Sequence, residues 1–224
     1  LAPDQARAPI QLALAATDPA ELGRAIAQPH RDVLAALGPH TVSITTRTTI
    51  EEAGKVTTEL GDQSVLELGA DDTFHGLYTN TADYGREVTF LGGTLYLRPR
   101  YQRWHARAPE TDAEPGALRD AFFEPIAATW ELLAPGAALS DAGEAQVGGR
   151  AGKKIALRLA PTPGEPADEA LAQRAWREER TVEDVRGEVI LDADHGVPLA
   201  VELAGTIGFS REGRRFQMKT SLTA

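Results

Sequence analysis

The spacing of hydrophobic positions changes period along this chain, from 3.6 to 2, back to 3.6 and again to 2. After residues 1–16, LAPDQARAPIQLALAA, which hold two prolines and no sustained period, Thr17-Asp18-Pro19 and Glu21 mark a helix start. Leu22, Ile26, Val33, Leu34 and Leu37 then recur at helical spacing, and Pro29 predicts a kink or two short helices before Gly38-Pro39 ends the run. From His40 the period is 2. Val42, Ile44 and Ile50 alternate with polar residues in a long half-buried strand, and Val56, Thr58 and Leu60 repeat the pattern before a turn expected at Gly61-Asp62. Strands are predicted at 64–68, 74–79, 87–91, 94–98 and 103–107, with Gly92-Gly93 as a two-residue hairpin turn.

Leu118, Phe122, Ile126, Trp130 and Leu133 return to helical spacing, broken at Pro125. A second β block follows, from about Gln146 through 154–159, with a Pro-rich acidic loop at 160–170 and strands at 187–192, 198–209 and 214–222. Alternation of apolar and polar positions, without the continuous apolar runs of buried parallel strands, indicates antiparallel pairing. The predicted architecture is therefore α+β: a single curved antiparallel sheet of about eleven strands, an incomplete β-barrel, with helices packed in its concave face. Residues 1–16 are expected to be a tether and 17–224 one domain. Each strand presents one apolar face, and two proline-broken helical segments are short cover for so many. An incompletely covered inner face is a hydrophobic binding site.

Net charge changes the picture next. The chain has 33 acidic and 23 basic residues, a formal charge of −10, which opposes nucleic-acid binding. Cysteine is absent, so disulfides, Cys-ligated metals and thiol nucleophiles are excluded. HExxH and GxSxG motifs do not occur, and the five histidines lack metal-ligand spacing. Val147–Ile155, VGGRAGKKI, lacks the first glycine and the Ser/Thr of a phosphate loop. Leu191–Gly196, LDADHG, lacks the later ligands of a calcium loop and reads as a hairpin turn. No catalytic residue, metal or cofactor is assigned, and the chain is not expected to be an enzyme.

One cluster stands out. Arg98, Arg100, Arg103 and Arg107 lie among Tyr96, Tyr101 and Trp104 within twelve residues. They read either as a rim that holds an anionic group, or as a solvated hairpin whose arginines face nearby acids.

The order of elements and four phrases resemble the lipoprotein-localisation fold of LolA, LolB, the RseB/MucB N-terminal domain and the LppX-type lipoproteins. The phrases are TVSITTRTTIEEAG, GGTLYLRPRYQRWHARAP, VGGRAGKKIALRL and GEVILDADHGVPLAVEL, and the resemblance spans about residues 20–222. It implies a cavity for acyl chains and a periplasmic or outer-membrane-anchored protein, held through a lipidated residue upstream of Leu1. LolB-type transfer also uses an exposed apolar loop tip, for which residues 74–84 are one place.

Two functions are thus carried forward. The first is a non-enzymatic extracytoplasmic carrier or binder of lipid or lipoprotein acyl chains in the cell envelope. Its inner-face residues would be Val42, Ile44, Val56, Leu66, Leu68, Phe74, Phe90, Leu95, Leu97, Val189, Leu191, Leu199, Val201 and Phe209. The second is an envelope scaffold or sensor with a packed interior, which would bind a protein partner through the Arg/Tyr/Trp cluster and the acidic stretch 160–184.

Overall fold

The structure, a computed structural model, describes residues 18–162, 164, 174 and 179–224. The expected tether at 1–16 and most of the acidic loop at 160–170 lie outside the described residues. Proline divides each helical run, as the sequence predicts: α1 (Pro19–Ile26) and α2 (His30–Leu37) flank Pro29, and α3 (Glu114–Asp120) and α4 (Glu124–Leu133) stand on either side of the 121–123 turn. Asp18 caps α1 by accepting from the Ala20 N–H at 2.9 Å, ahead of Pro19 in the first turn.

Among the described residues, eleven strands form one antiparallel sheet that does not close into a barrel. They are β1 (His40–Glu52), β2 (Lys55–Leu68), β3 (Phe74–Asn80), β4 (Gly85–Leu91), β5 (Thr94–Pro99), β6 (His105–Arg107), β7 (Ala137–Val147), β8 (Arg150–Leu159), β9 (Arg180–Asp192), β10 (Pro198–Arg211) and β11 (Arg214–Thr223). Their order is β6-β5-β4-β3-β2-β1-β11-β10-β9-β8-β7. Two meanders are therefore joined where the last strand pairs with the first, Thr48 opposite Thr220. Gly92 and Gly93, at φ 57° and 74°, make the predicted β4–β5 hairpin turn.

Two predicted boundaries move. The turn expected at Gly61-Asp62 is absent: β2 runs straight through, because both residues pair with β1, opposite Arg47 and Thr46. β7 begins nine residues before the expected Gln146, in the stretch AALSDAGEA, whose small and polar residues carry no strand alternation.

The helices lie on one face, called the inner face below. α4 packs on β10 and β11, and α1 packs on α4 and β7. Leu22, Trp130, Leu133, Val189, Val201 and Leu203 form the core under them. A second core lies under the α3–α4 turn, with Phe122 against Leu66, Phe74, Val88 and Leu95. Gly76 is what lets the two layers approach there, since a Cβ at that position would come within 2.5 Å of the Phe122 ring.

Candidate functional site

The register assigns every strand residue to a face. Val42, Ile44, Leu66, Leu68, Phe74, Phe90, Leu95 and Leu97 point inward in the first meander, and Val189, Leu191, Val201 and Phe209 in the second. Most of them are consumed by packing. Ile44, Leu66, Leu68, Phe74, Leu95, Val189, Leu191 and Val201 are buried under the helices or against one another. Val42, Phe90, Leu97 and Phe209 remain half-buried.

Two of the predicted inner-face residues belong elsewhere, and a β-bulge is the cause in each case. The β1–β2 register shifts after Ile50, which pairs with Thr58, so that Val56 faces Glu51 and is 56% exposed. The β9–β10 register shifts between Pro198 and Ala200, and Leu199 lies beside Ile190 and Gly152: a Cβ built at Gly152 would stand 3.4 Å from its Cδ1 and 2.6 Å from Ile190 Cγ2. The Gly152 and Ile190 positions alternate with the inward Ile155–Val189 pair, so Leu199 is turned to the outer side.

Beyond the helix-covered core, the inner face carries two further zones. The nearer is polar. Asp62 accepts from Thr46 Oγ1 at 3.0 Å and from Tyr78 Oη, and Asn80 Nδ2 donates to Tyr78 Oη at 3.2 Å. Ser64 and Thr220 are buried in the same band. Burial, followed by the hydrogen bond to the Asp62 carboxylate, raises the Tyr78 pKa. Farther from the helices, Ile50, Leu60, Met218, Phe216 and Phe209 form an apolar strip of half-buried side chains. Ile50 pairs with Met218, and Phe209 with Phe216, whose rings stack 5.4 Å apart. Ile50, Leu60, Phe216 and Met218 were not among the predicted site residues. The signal was present, because Ile50 continues the period of Val42 and Ile44 and Met218 shares the parity of Leu222.

The arginine cluster does not converge on one anion. Arg98 lies opposite Glu87 on the outer face, pairs with it, and stacks 4.8 Å over Trp104. His75 Nε2 is 2.8 Å from the same Glu87. Burial works to raise the Glu87 pKa, but the bonds from His75 and Arg98 together hold it below the ordinary carboxylate value. Arg100 pairs with Asp83 at 2.9 Å and lies over Tyr101, whose hydroxyl also donates to Asp83. Arg107 sits opposite Leu95 on the inner face and grips Glu114 at the start of α3 with both terminal nitrogens. That fork, with the Glu110 N–H, pushes Glu114 down to about 2. Arg103 alone is exposed without an ion pair among the described residues. The second reading of the cluster, arginines facing nearby acids, is what the register produces. Of residues 74–84, the expected apolar tip, Phe74 is buried, whereas Tyr84 at the β3–β4 turn is exposed.

The LDADHG turn brings Asp192, Asp194 and His195 together, with ligating atoms within 4.8 Å. Asp192 is already saturated: it accepts from the Asp194 and His195 N–H groups, contacts His195 Nδ1 at 2.9 Å and accepts from Arg150 Nε at 3.0 Å. Burial raises its pKa, and these bonds outweigh it and hold the carboxyl low. The arrangement is a hairpin turn locked to β8.

No protein-family model matches the chain, and a search of curated proteins finds no match. Solved structures do resemble it. The Mycobacterium tuberculosis lipoprotein LppX is 14% identical, over 90% of this chain and 93% of that one, with a TM-score of 0.32. A LolA superfamily protein from Nitrosomonas europaea is 7% identical, over 94% and 93%, with a TM-score of 0.25. MucB, in the complex of Pseudomonas aeruginosa MucA and MucB, is similar over 90% of this chain and 55% of its own, at 18% identity and a TM-score of 0.26. They are the groups whose pattern the sequence resembles. At these scores the functional reading rests on the inner face itself. No described helix is long and apolar enough to cross a membrane.

Proposed function

We propose that this protein is a non-enzymatic binder or carrier of lipid acyl chains in the extracytoplasmic cell envelope. The observation that carries the reading is the apolar strip of Ile50, Leu60, Phe209, Phe216 and Met218, half-open beside a fully packed helical core on the same face. Each methylene that leaves water against such a strip gains about 0.8 kcal/mol, so a long chain binds without specific polar contacts. The polar band beside it is bonded within itself: Thr46 and Tyr78 occupy both oxygens of Asp62, which is a frame for a headgroup rather than a base poised for proton transfer. The envelope location follows the resemblance, and a cysteine-free chain is compatible with it.

A fluorescent fatty acid titrated into the protein tests the reading. The unaltered chain should bind it saturably. Ile50→Asp and Leu60→Asp, which place a charge on the strip, should each weaken binding about tenfold or more while thermal unfolding stays cooperative. Equal binding by the variants would remove the strip from the site.

A further inference from the structure

Arg86 also lies on the inner face, and it behaves differently from the arginines that the sequence made conspicuous. Its register partners are Tyr78 on β3 and Pro99 on β5, so it is the β4 member of the polar band. It is half-buried, whereas Arg98, Arg100 and Arg107 each hold a carboxylate. Arg86 has no carboxylate partner among the described residues. Its contact is with an aromatic face, Cζ 5.4 Å from the Phe122 ring centroid. A guanidinium stacked on a ring keeps its N–H edge free for a planar anion. A half-buried cation that lacks a counterion has lost hydration without recovering it in an ion pair. The carboxylate of the band, Asp62, has its oxygens engaged by Thr46 and Tyr78.

We propose that the ligand of the inner face is a long-chain fatty acid, its tail on the apolar strip and its carboxylate met by Arg86. This rests on the acyl-chain reading above and adds the chemical class of the head. The layout runs from a cation and hydroxyls in the band to the apolar strip, at whose far edge Arg214 lies over Phe216 and is already paired with Glu52. Phe122 is the support under the guanidinium, and Gly76 is the position that admits the Phe122 ring to the sheet.

Laurate and 1-dodecanol have the same chain length and differ in the charge of the head. Each is titrated, below its aggregation limit, against protein loaded with the neutral dye N-phenyl-1-naphthylamine. The unaltered protein should release the dye to laurate with an affinity about tenfold higher than to dodecanol, about 1.4 kcal/mol. Arg86→Gln should abolish that difference and leave dodecanol affinity in place; Arg86→Lys, which keeps the charge but loses the fork, should retain part of it. Equal affinities for the two ligands in the unaltered protein, or an undiminished laurate preference in Arg86→Gln, would overturn the role of Arg86 while the acyl-chain reading stands. Failure of both ligands to displace or bind would overturn the acyl-chain reading and this inference with it. The unaltered protein decides the first comparison, so a misfolded variant does not protect the proposal.

Discussion

His30 opens α2 with its side chain only 7% exposed, its ring 5.7 Å from Phe123 and 6.4 Å from the ring of His40. His40 Nδ1 lies 2.7 Å from the Gly38 carbonyl oxygen, which only accepts, so Nδ1 carries a proton and donates it there. His40 Nε2 and His30 Nδ1 are both buried without hydrogen-bond partners among the described residues. Burial and then Arg119 push the His30 pKa from 6.5 down to about 4, with Asp120 and Asp72 opposing and His40 adding to the fall. The unfolded chain therefore takes up this proton first as pH drops. Stability from this site is fully present above about pH 6.5 and is lost between there and about pH 4, by roughly 3 kcal/mol. Denaturant midpoints measured across that window should fall more steeply for the unaltered chain than for His30→Phe. Parallel curves would show that His30 is not the titrating group. Gly76 gives a second test at this scale. Gly76→Ala sets a methyl 2.5 Å from the Phe122 ring and should cost about 1–3 kcal/mol by chemical denaturation. Phe122→Leu should relieve much of that cost, and a double-mutant cycle with no coupling would contradict the contact.

Among the elements, what the sequence shows and what it hides divide along one physical line. Proline positions announce helix ends because the missing N–H and the fixed φ act locally, so the splitting of both helical runs was readable at Pro29 and Pro125. Gly92-Gly93 was readable for the same reason, a turn that needs two positive φ values. The face of a strand residue is different, because it depends on register with a neighbour far away in sequence. Period 2 identified Ile44, Leu66, Val189 and Val201 as inward, and all are buried. The same period failed at Val56 and Leu199, since one extra residue in a ladder turns the next side chain over and leaves no mark in a single strand's pattern. Gly61-Asp62 misled in the opposite sense. Its dipeptide has turn chemistry, but Asp62 is held in the ladder by Thr46 and Tyr78. The four clustered arginines drew attention by composition, while pairing partners supplied by β4, the β3–β4 turn and α3 decided the role of Arg98, Arg100 and Arg107. Arg86, isolated in sequence, gained its significance only from what lies opposite it.

Across the described residues, eleven strands expose more apolar inner surface than the four described helices α1–α4 cover. Among the described residues, the helices pack mainly on β7, β10 and β11, and Phe122 covers β3 and β4, whereas Ile50, Leu60, Phe209, Phe216 and Met218 toward the outer ends of β1, β2, β10 and β11 are half-buried. The interior is packed beneath the helices, and the apolar side chains beyond them are half-buried. A sheet that carries hydrocarbon on that strip should hold some of it through purification. Native mass spectrometry of the protein isolated from its host without detergent, followed by organic extraction, tests this most directly. The expected result is a population heavier than the bare chain by the mass of one acyl lipid, which the extraction recovers and which Leu60→Asp reduces. A bare-chain mass alone, with no uptake of added fatty acid, would contradict the account.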